Sequence, residues 1–107
     1  MAKGKAEVHV GSGNVFRDLG LKNPEERLAK AKLAARIVLD LEKRGLSQAA
    51  AAEILGIDQP KVSLIYRGRL EAFSIDRLMR LLNALNHDVR IVVEHTPRRH
   101  GKMIVEA

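Results

Sequence analysis

The chain has 107 residues, a formal charge of +6 and no cysteine. A length of this order ordinarily supports one small domain, and the absent thiols exclude a disulfide framework, a thiolate zinc site and a cysteine nucleophile together. The surplus of Lys and Arg favours a polyanionic partner, nucleic acid above all, while aromatic residues at 3% leave the core to Leu, Ile, Val and Ala, a composition suited to packed helices.

In chain order, residues 1–13 (MAKGKAEVHVGSG) read as a flexible arm, rich in Gly and Lys and poor in apolar side chains. Within it, Val8-His9-Val10 is able to pair as a strand against a free edge. No stretch reaches the ~18 apolar residues of a membrane span, and the start lacks an apolar signal core, so the cytoplasm is the expected compartment. Residues 14–20 (NVFRDLG) bring Val15, Phe16 and Leu19 to tuck onto the domain, with Phe16 expected to be buried.

The first long helix is predicted from Asn23-Pro24-Glu25-Glu26 to Arg44. Asn caps, Pro suits the first turn and the two acids complement the helix dipole. Leu28, Ala31, Ala35, Val38 and Leu41 recur at three and four and mark a buried face, widened by Leu33 and Ile37. Gly45 ends the helix. Three shorter helices follow: Gln48 to Leu55 behind the cap Ser47, a second opened by Asp58 or Gln59 with Pro60 in its first turn and ending near Arg67-Gly68, and a third from Ser74 to about Leu85. Ile75, Leu78, Leu81 and Leu82 form the buried stripe of the last. The period then changes. Val89 to Glu94 (VRIVVE) is rich in β-branched residues and reads as a strand ended by Pro97. Residues 95–107 form a basic tail in which Met103-Ile104-Val105 offers a second short strand. The domain proper is therefore 14–94.

The informative stretch is Gln48 to Arg67 (QAAAAEILGIDQPKVSLIYR). Two short helices joined by a tight turn cross closely, which asks for a small residue on the first, here Ala52, and for a residue tolerant of unusual φ at the turn, here Gly56. Val62 and Ile65 supply the inner anchors of the second helix, closed by Leu55 and Ile57. These offsets are those of a helix-turn-helix. The N-terminal part of the second helix then enters the major groove. Gln59, Lys61, Ser63 and Leu64 are the candidate base readers: Gln pairs with adenine, Lys with guanine, Ser with either, and Leu meets a thymine methyl. Gln48, Tyr66, Arg67 and Arg69 are the candidate phosphate contacts.

These residues resemble a known family. The pattern GLSQ…LGIDQPKVS…RG is similar to the lambda-repressor-like, or XRE-type, helix-turn-helix, and the step from Gln48 to Gln59 matches two glutamines often seen there. The resemblance implies base contact by Gln59. It covers about 47–85 and implies a mainly α fold, a bundle of four to five helices, to which the period change adds a short C-terminal β-strand. SGNVFRDLG at 12–20, PEERLAKAKLA at 24–34, RGRLEAFSIDRL and DVRIVVE extend the match over roughly 12–94 to HigA-type antitoxins. That narrower resemblance implies a type II antitoxin that binds a RelE-like toxin and represses its own operon. By elimination the toxin surface is placed on the N-terminal arm and Val15, Phe16 and Leu19.

A lone strand in a helical domain needs a partner. Val89, Ile91 and Val93 are the candidate dimer seam, with 102–106 or 8–10 of the same chain as alternatives. A homodimer also suits reading of two half-sites on double-stranded DNA. His9, His87, His95 and His100 lack ligand spacing, so no metal or cofactor is expected. No catalytic constellation is visible, and an enzyme is not expected. The alternatives to the antitoxin are a stand-alone XRE-type regulator and a protein-interaction module.

Overall fold

A computed structural model of the chain describes residues 13–107 and contains five helices in that range: α1 Val15–Asp18, α2 Pro24–Lys43, α3 Gln48–Leu55, α4 Gln59–Tyr66 and α5 Ile75–Ala84. The 20-residue α2 is the spine: it packs against α1, α4 and α5, while α3 lies against α4 and α5. The arm at 1–12, with its Val8–Val10 strand expectation, lies outside the described residues.

Polar side chains start four of the helices. The Asn14 carboxamide oxygen accepts from the Phe16 and Arg17 N–H groups, and its nitrogen donates to the Pro24 carbonyl at 2.9 Å. One buried side chain thus caps α1 and ties it to the start of α2. Ser47, Asp58 and Ser74 cap α3, α4 and α5 by accepting from Ala50, Lys61 and Arg77 N–H. Asn23 departs from expectation. It sits in the left-handed region (φ 51°, ψ 54°), so its side chain makes no cap bond; Pro24, Glu25 and Glu26 still open α2 as the sequence suggests.

The core takes Ala29, Leu33, Ala34, Ile37 and Leu41 from α2, Ala51 and Leu55 from α3, Val62 and Ile65 from α4, and Leu78, Leu81 and Leu82 from α5. The expected α2 face is rotated. Leu33, Ile37 and Leu41 are buried, whereas Leu28, Ala31 and Val38 are half-buried and Ala35 is exposed. Both stripes satisfy a helical repeat; α5 and α4 pack against the one with the bulkier side chains. The aromatic assignment also changes. Phe73, in the loop before α5, is fully buried, while Phe16 is half-buried and Val15 and Leu19 stand 57% and 69% exposed. A four-residue helix offers too little surface to bury three such side chains.

After α5 the chain turns through Asn86 and is pinned. The His87 N–H donates to the Leu82 carbonyl, Asn83 Nδ2 donates to the His87 carbonyl, and the His87 ring meets Asp40 at 3.2 Å. Arg44 holds the other carboxylate oxygen of Asp40 at 2.8 Å and donates to the Leu85 carbonyl. Burial opposes ionisation of Asp40, but the His87 hydrogen bond and the charges of Arg44 and His87 outweigh it and hold the carboxyl below its usual range.

Among the described residues there is no strand, so neither the expected strand at 89–94 nor its pairing with 102–106 is seen among them. Val89 packs half-buried on the core, but Ile91 and Val93 are 73% and 93% exposed. β-propensity expresses itself only where a neighbouring strand completes the ladder. The tail instead returns across α2, where Val105 packs on the core and its carbonyl accepts from Lys32 Nζ at 3.4 Å.

Candidate nucleic-acid interface

The geometry of α3 and α4 follows from two glycines. Gly56 ends α3 at φ 69°, a left-handed conformation that costs a β-carbon-bearing residue about 1–2 kcal/mol. It lets Gly56 and Ile57 N–H return to the Glu53 and Ala52 carbonyls, so the chain reverses within three residues into the Asp58 cap. Gly68, at φ 71°, does the same after α4, with Gly68 and Arg69 N–H bonded to Ile65 and Leu64 carbonyls.

On α3, Ala51 is fully buried and Ala52 is half-buried against the core. The Ser47 cap fixes this phase, since Ala51 N–H is the first to bond back to the Ser47 carbonyl and Leu55 falls one turn further on the same face. Val62 and Ile65 anchor α4 inward as their spacing requires.

With that face buried, the opposite side of α4 is outward. Gln59 and Pro60 are exposed at its N-terminal end, and Lys61, Ser63 and Leu64 are half-exposed. Leu64 also packs partly on the core. Pro60 sits in the first turn, as its sequence position suggests, with no N–H to lose there, and its ring stands exposed between Gln59 and Lys61. Gln48 is half-exposed in the first turn of α3, and Arg67 and Arg69 are exposed beyond α4. Lys61, Arg67 and Arg69 have no ion pair among the described residues. They contrast with Arg17, Lys30, Arg44 and Arg80, each held by a carboxylate. Guanidinium and ammonium groups without an ion pair suit phosphate oxygens.

Tyr66 lies on another side. It packs half-buried on the core and lines a groove with Phe16, Val38 and Glu42. Burial, and then the Glu42 carboxylate, push its hydroxyl above the usual phenol range, so it remains a proton donor. Val15 and Leu19 are displayed near that groove's Phe16 end without entering it. The structure therefore groups Gln48, Gln59, Lys61, Ser63, Arg67 and Arg69 on the helix-turn-helix unit, with Tyr66 facing α2. Among the described residues no group of His, Asp and Glu has the arrangement to hold a metal ion. None of the described helices is long and apolar enough to cross a membrane.

A capped pair of eight-residue helices, joined through a left-handed glycine, defines a helix-turn-helix protein. The sequence profile of a helix-turn-helix domain family matches residues 15–94, and the chain belongs to that family. A solved chain provisionally described as an XRE family transcriptional regulator is 47% identical, with a TM-score of 0.69, over 78% of this chain and 93% of its own. The protein is thus an XRE-type helix-turn-helix protein. No curated protein matches it.

Proposed function

We propose that this chain is a sequence-specific DNA-binding transcriptional repressor that reads two half-sites as a homodimer. The observation that carries this reading is the outward face of α4 together with the unpaired cations around it. Gln59, Lys61 and Ser63 contact base edges, and the outer half of Leu64 meets a thymine methyl. Gln48, Arg67 and Arg69 hold phosphates. The half-burial of Tyr66 beside Glu42 makes it the weakest of the phosphate candidates.

The dimer seam is the segment around Val89, Ile91 and Val93. Exposed β-branched side chains at 91–93, with no strand partner among the described residues, support pairing with the same segment of a second copy.

On the resemblance to HigA-type antitoxins, the repressor is further the antitoxin of a type II pair. It would bind a RelE-like toxin through the exposed Val15 and Leu19 and the neighbouring Phe16. The test is co-expression with the adjacent gene, followed by co-purification and a shift of the promoter upstream of the pair. Both binding events support the antitoxin. A promoter shift without a co-purifying neighbour leaves a stand-alone regulator, and failure to shift any promoter fragment at low salt would sink the DNA-binding reading itself.

A further inference from the structure

Beside the helix-turn-helix lies a groove set apart from the outward face of α4. Its floor is Ala31, Ala35, Val38 and Leu39 of α2, with Phe16 at one end and Tyr66 near the other, and its volume is about 770 Å³. It runs from Glu26 to Glu42 along α2, a span of about 24 Å at 1.5 Å per residue. Leu39 is 46% exposed on it. The length is that of a four-turn helix rather than of a compact ligand, and the small alanines of the floor permit close approach by a second helix.

Charge is distributed unevenly along the groove. At the Phe16 end, Glu26 is already paired to Lys30 at 3.4 Å and Arg27 donates to the Lys22 carbonyl. At the far end, Glu42 and Glu71 line the groove, and neither has an ion pair among the described residues. Two free carboxylates on the rim of an apolar surface repel a phosphate backbone and select a cation. The same loop carries Arg67 and Arg69 outward while Tyr66, Gly68, Leu70 and Glu71 line the groove.

We propose that this groove docks an amphipathic helix of another protein, seated by an apolar stripe on Ala31, Ala35, Val38 and Leu39, with Lys or Arg at the end that meets Glu42 and Glu71. The inference goes beyond the DNA-binding reading and does not depend on it. An occupant touches the backbone that positions Arg67 and Arg69, so the surface suits a partner that acts on a bound or binding regulator.

The probe is a synthetic sixteen-residue helical peptide with leucines on one face and three lysines confined to one end. Its control carries three glutamates in place of those lysines. Binding to the full chain is followed by amide NMR shifts and by fluorescence anisotropy. The lysine peptide is expected to bind about tenfold or more tighter than the glutamate peptide, shifting the amides of residues 31–42 and 66–71. Glu42→Lys with Glu71→Lys, both exposed, should reverse that preference without disturbing the fold. Leu39→Asp should abolish binding of both peptides. Absence of binding, shifts confined to other surfaces, or a preference that the charge reversal leaves unchanged overturns the proposal. So does peptide-driven dissociation of an oligomer, which would make the groove a seam between copies. Tighter peptide binding by Lys3→Glu with Lys5→Glu would assign the groove to the chain's own start, and would overturn it too.

Discussion

Replacing Arg69 with alanine tests the phosphate contacts and the number of copies on DNA together. Arg67 and Arg69 are exposed on either side of Gly68, and the Arg69 N–H stays bonded to the Leu64 carbonyl whatever its side chain. The substitution therefore removes a guanidinium and leaves the end of α4 intact. Each neutralised phosphate releases counterions, so the logarithm of the binding constant falls with the logarithm of salt by about 0.9 per contact. If both arginines engage on each of two copies, their four contacts contribute a slope near −3.6, and raising salt from about 50 to about 200 mM weakens binding about 150-fold through them alone. Arg69→Ala removes one contact per copy. The slope should flatten by about 1.8, and the same salt step should then cost about 12-fold from these contacts. The assay is anisotropy of a labelled duplex titrated at several salt concentrations, on operator and on scrambled sequence alike. A flattening of about 0.9 would mean that one copy binds. An unchanged slope, or a change seen on operator alone, would refute the phosphate assignment.

Gln59→Ala with Lys61→Ala should remove operator preference at about 1–3 kcal/mol per lost base contact while the thermal midpoint stays close to that of the parent chain; an operator-to-scrambled affinity ratio that survives would exclude this face of α4 from base reading. Phe73→Ala should destabilise by about 3–5 kcal/mol because its ring is wholly buried, whereas Phe16→Ala should cost much less; calorimetry in which the two variants melt alike would contradict the observed aromatic placement. Asp40 has a folded-state pKa below its ordinary 3.8, so the stability it contributes is present above that value and lost as pH falls through the lowered one. Asp40→Asn should accordingly be less stable than the parent at neutral pH, with the gap closing in melts taken at more acid pH; a gap independent of pH would show that ionisation of Asp40 contributes nothing. Ile91→Lys with Val93→Lys should yield a chain that sediments as a monomer and melts like the parent measured at dilution; a persistent dimer would move the seam elsewhere.

The helix-turn-helix was legible because its constraints are local. Ser47, Gly56, Asp58 and Gly68 each act on backbone within four residues, and all four behave in the structure as their chemistry requires. The inward pair Val62 and Ile65 was equally readable, since an eight-residue helix has room for one apolar stripe. What escaped was set by partners distant in the chain. Ala51 is the fully buried alanine of α3 because the cap fixes the phase of the helix, which composition cannot register in a run of four alanines. Phe73 outcompetes Phe16 for the core because its loop is held between α4 and α5, while Phe16 rides on a helix of a single turn. Asn14 reads as an ordinary polar residue until Pro24, ten positions on, supplies the carbonyl that makes it a clasp.

The two apolar stripes of α2 carry the most general lesson about reading such a chain for function. Periodicity detects an amphipathic helix but cannot say how many neighbours cover it. Leu33, Ile37 and Leu41 join the core with α4 and α5, whereas Ala31 and Val38 are only half-buried and Ala35 and Leu39 stay exposed between Phe16, the loop after α4 and the returning tail. The same holds at the other end of the domain, where Val89 is covered and Ile91 and Val93 are not. Apolar residues whose spacing predicts burial, and which the folded single chain leaves bare, are where a second polypeptide pays back the exposure. One such surface suits the second copy proposed above because its exposed side chains are β-branched; the other suits the proposed helix because its floor is rich in small residues and its far rim is acidic. The proposed DNA-reading face shows the converse pattern, polar and cationic groups with no ion pair among the described residues. On one short chain, the chemistry of three exposed surfaces thus motivates the three partners proposed for it.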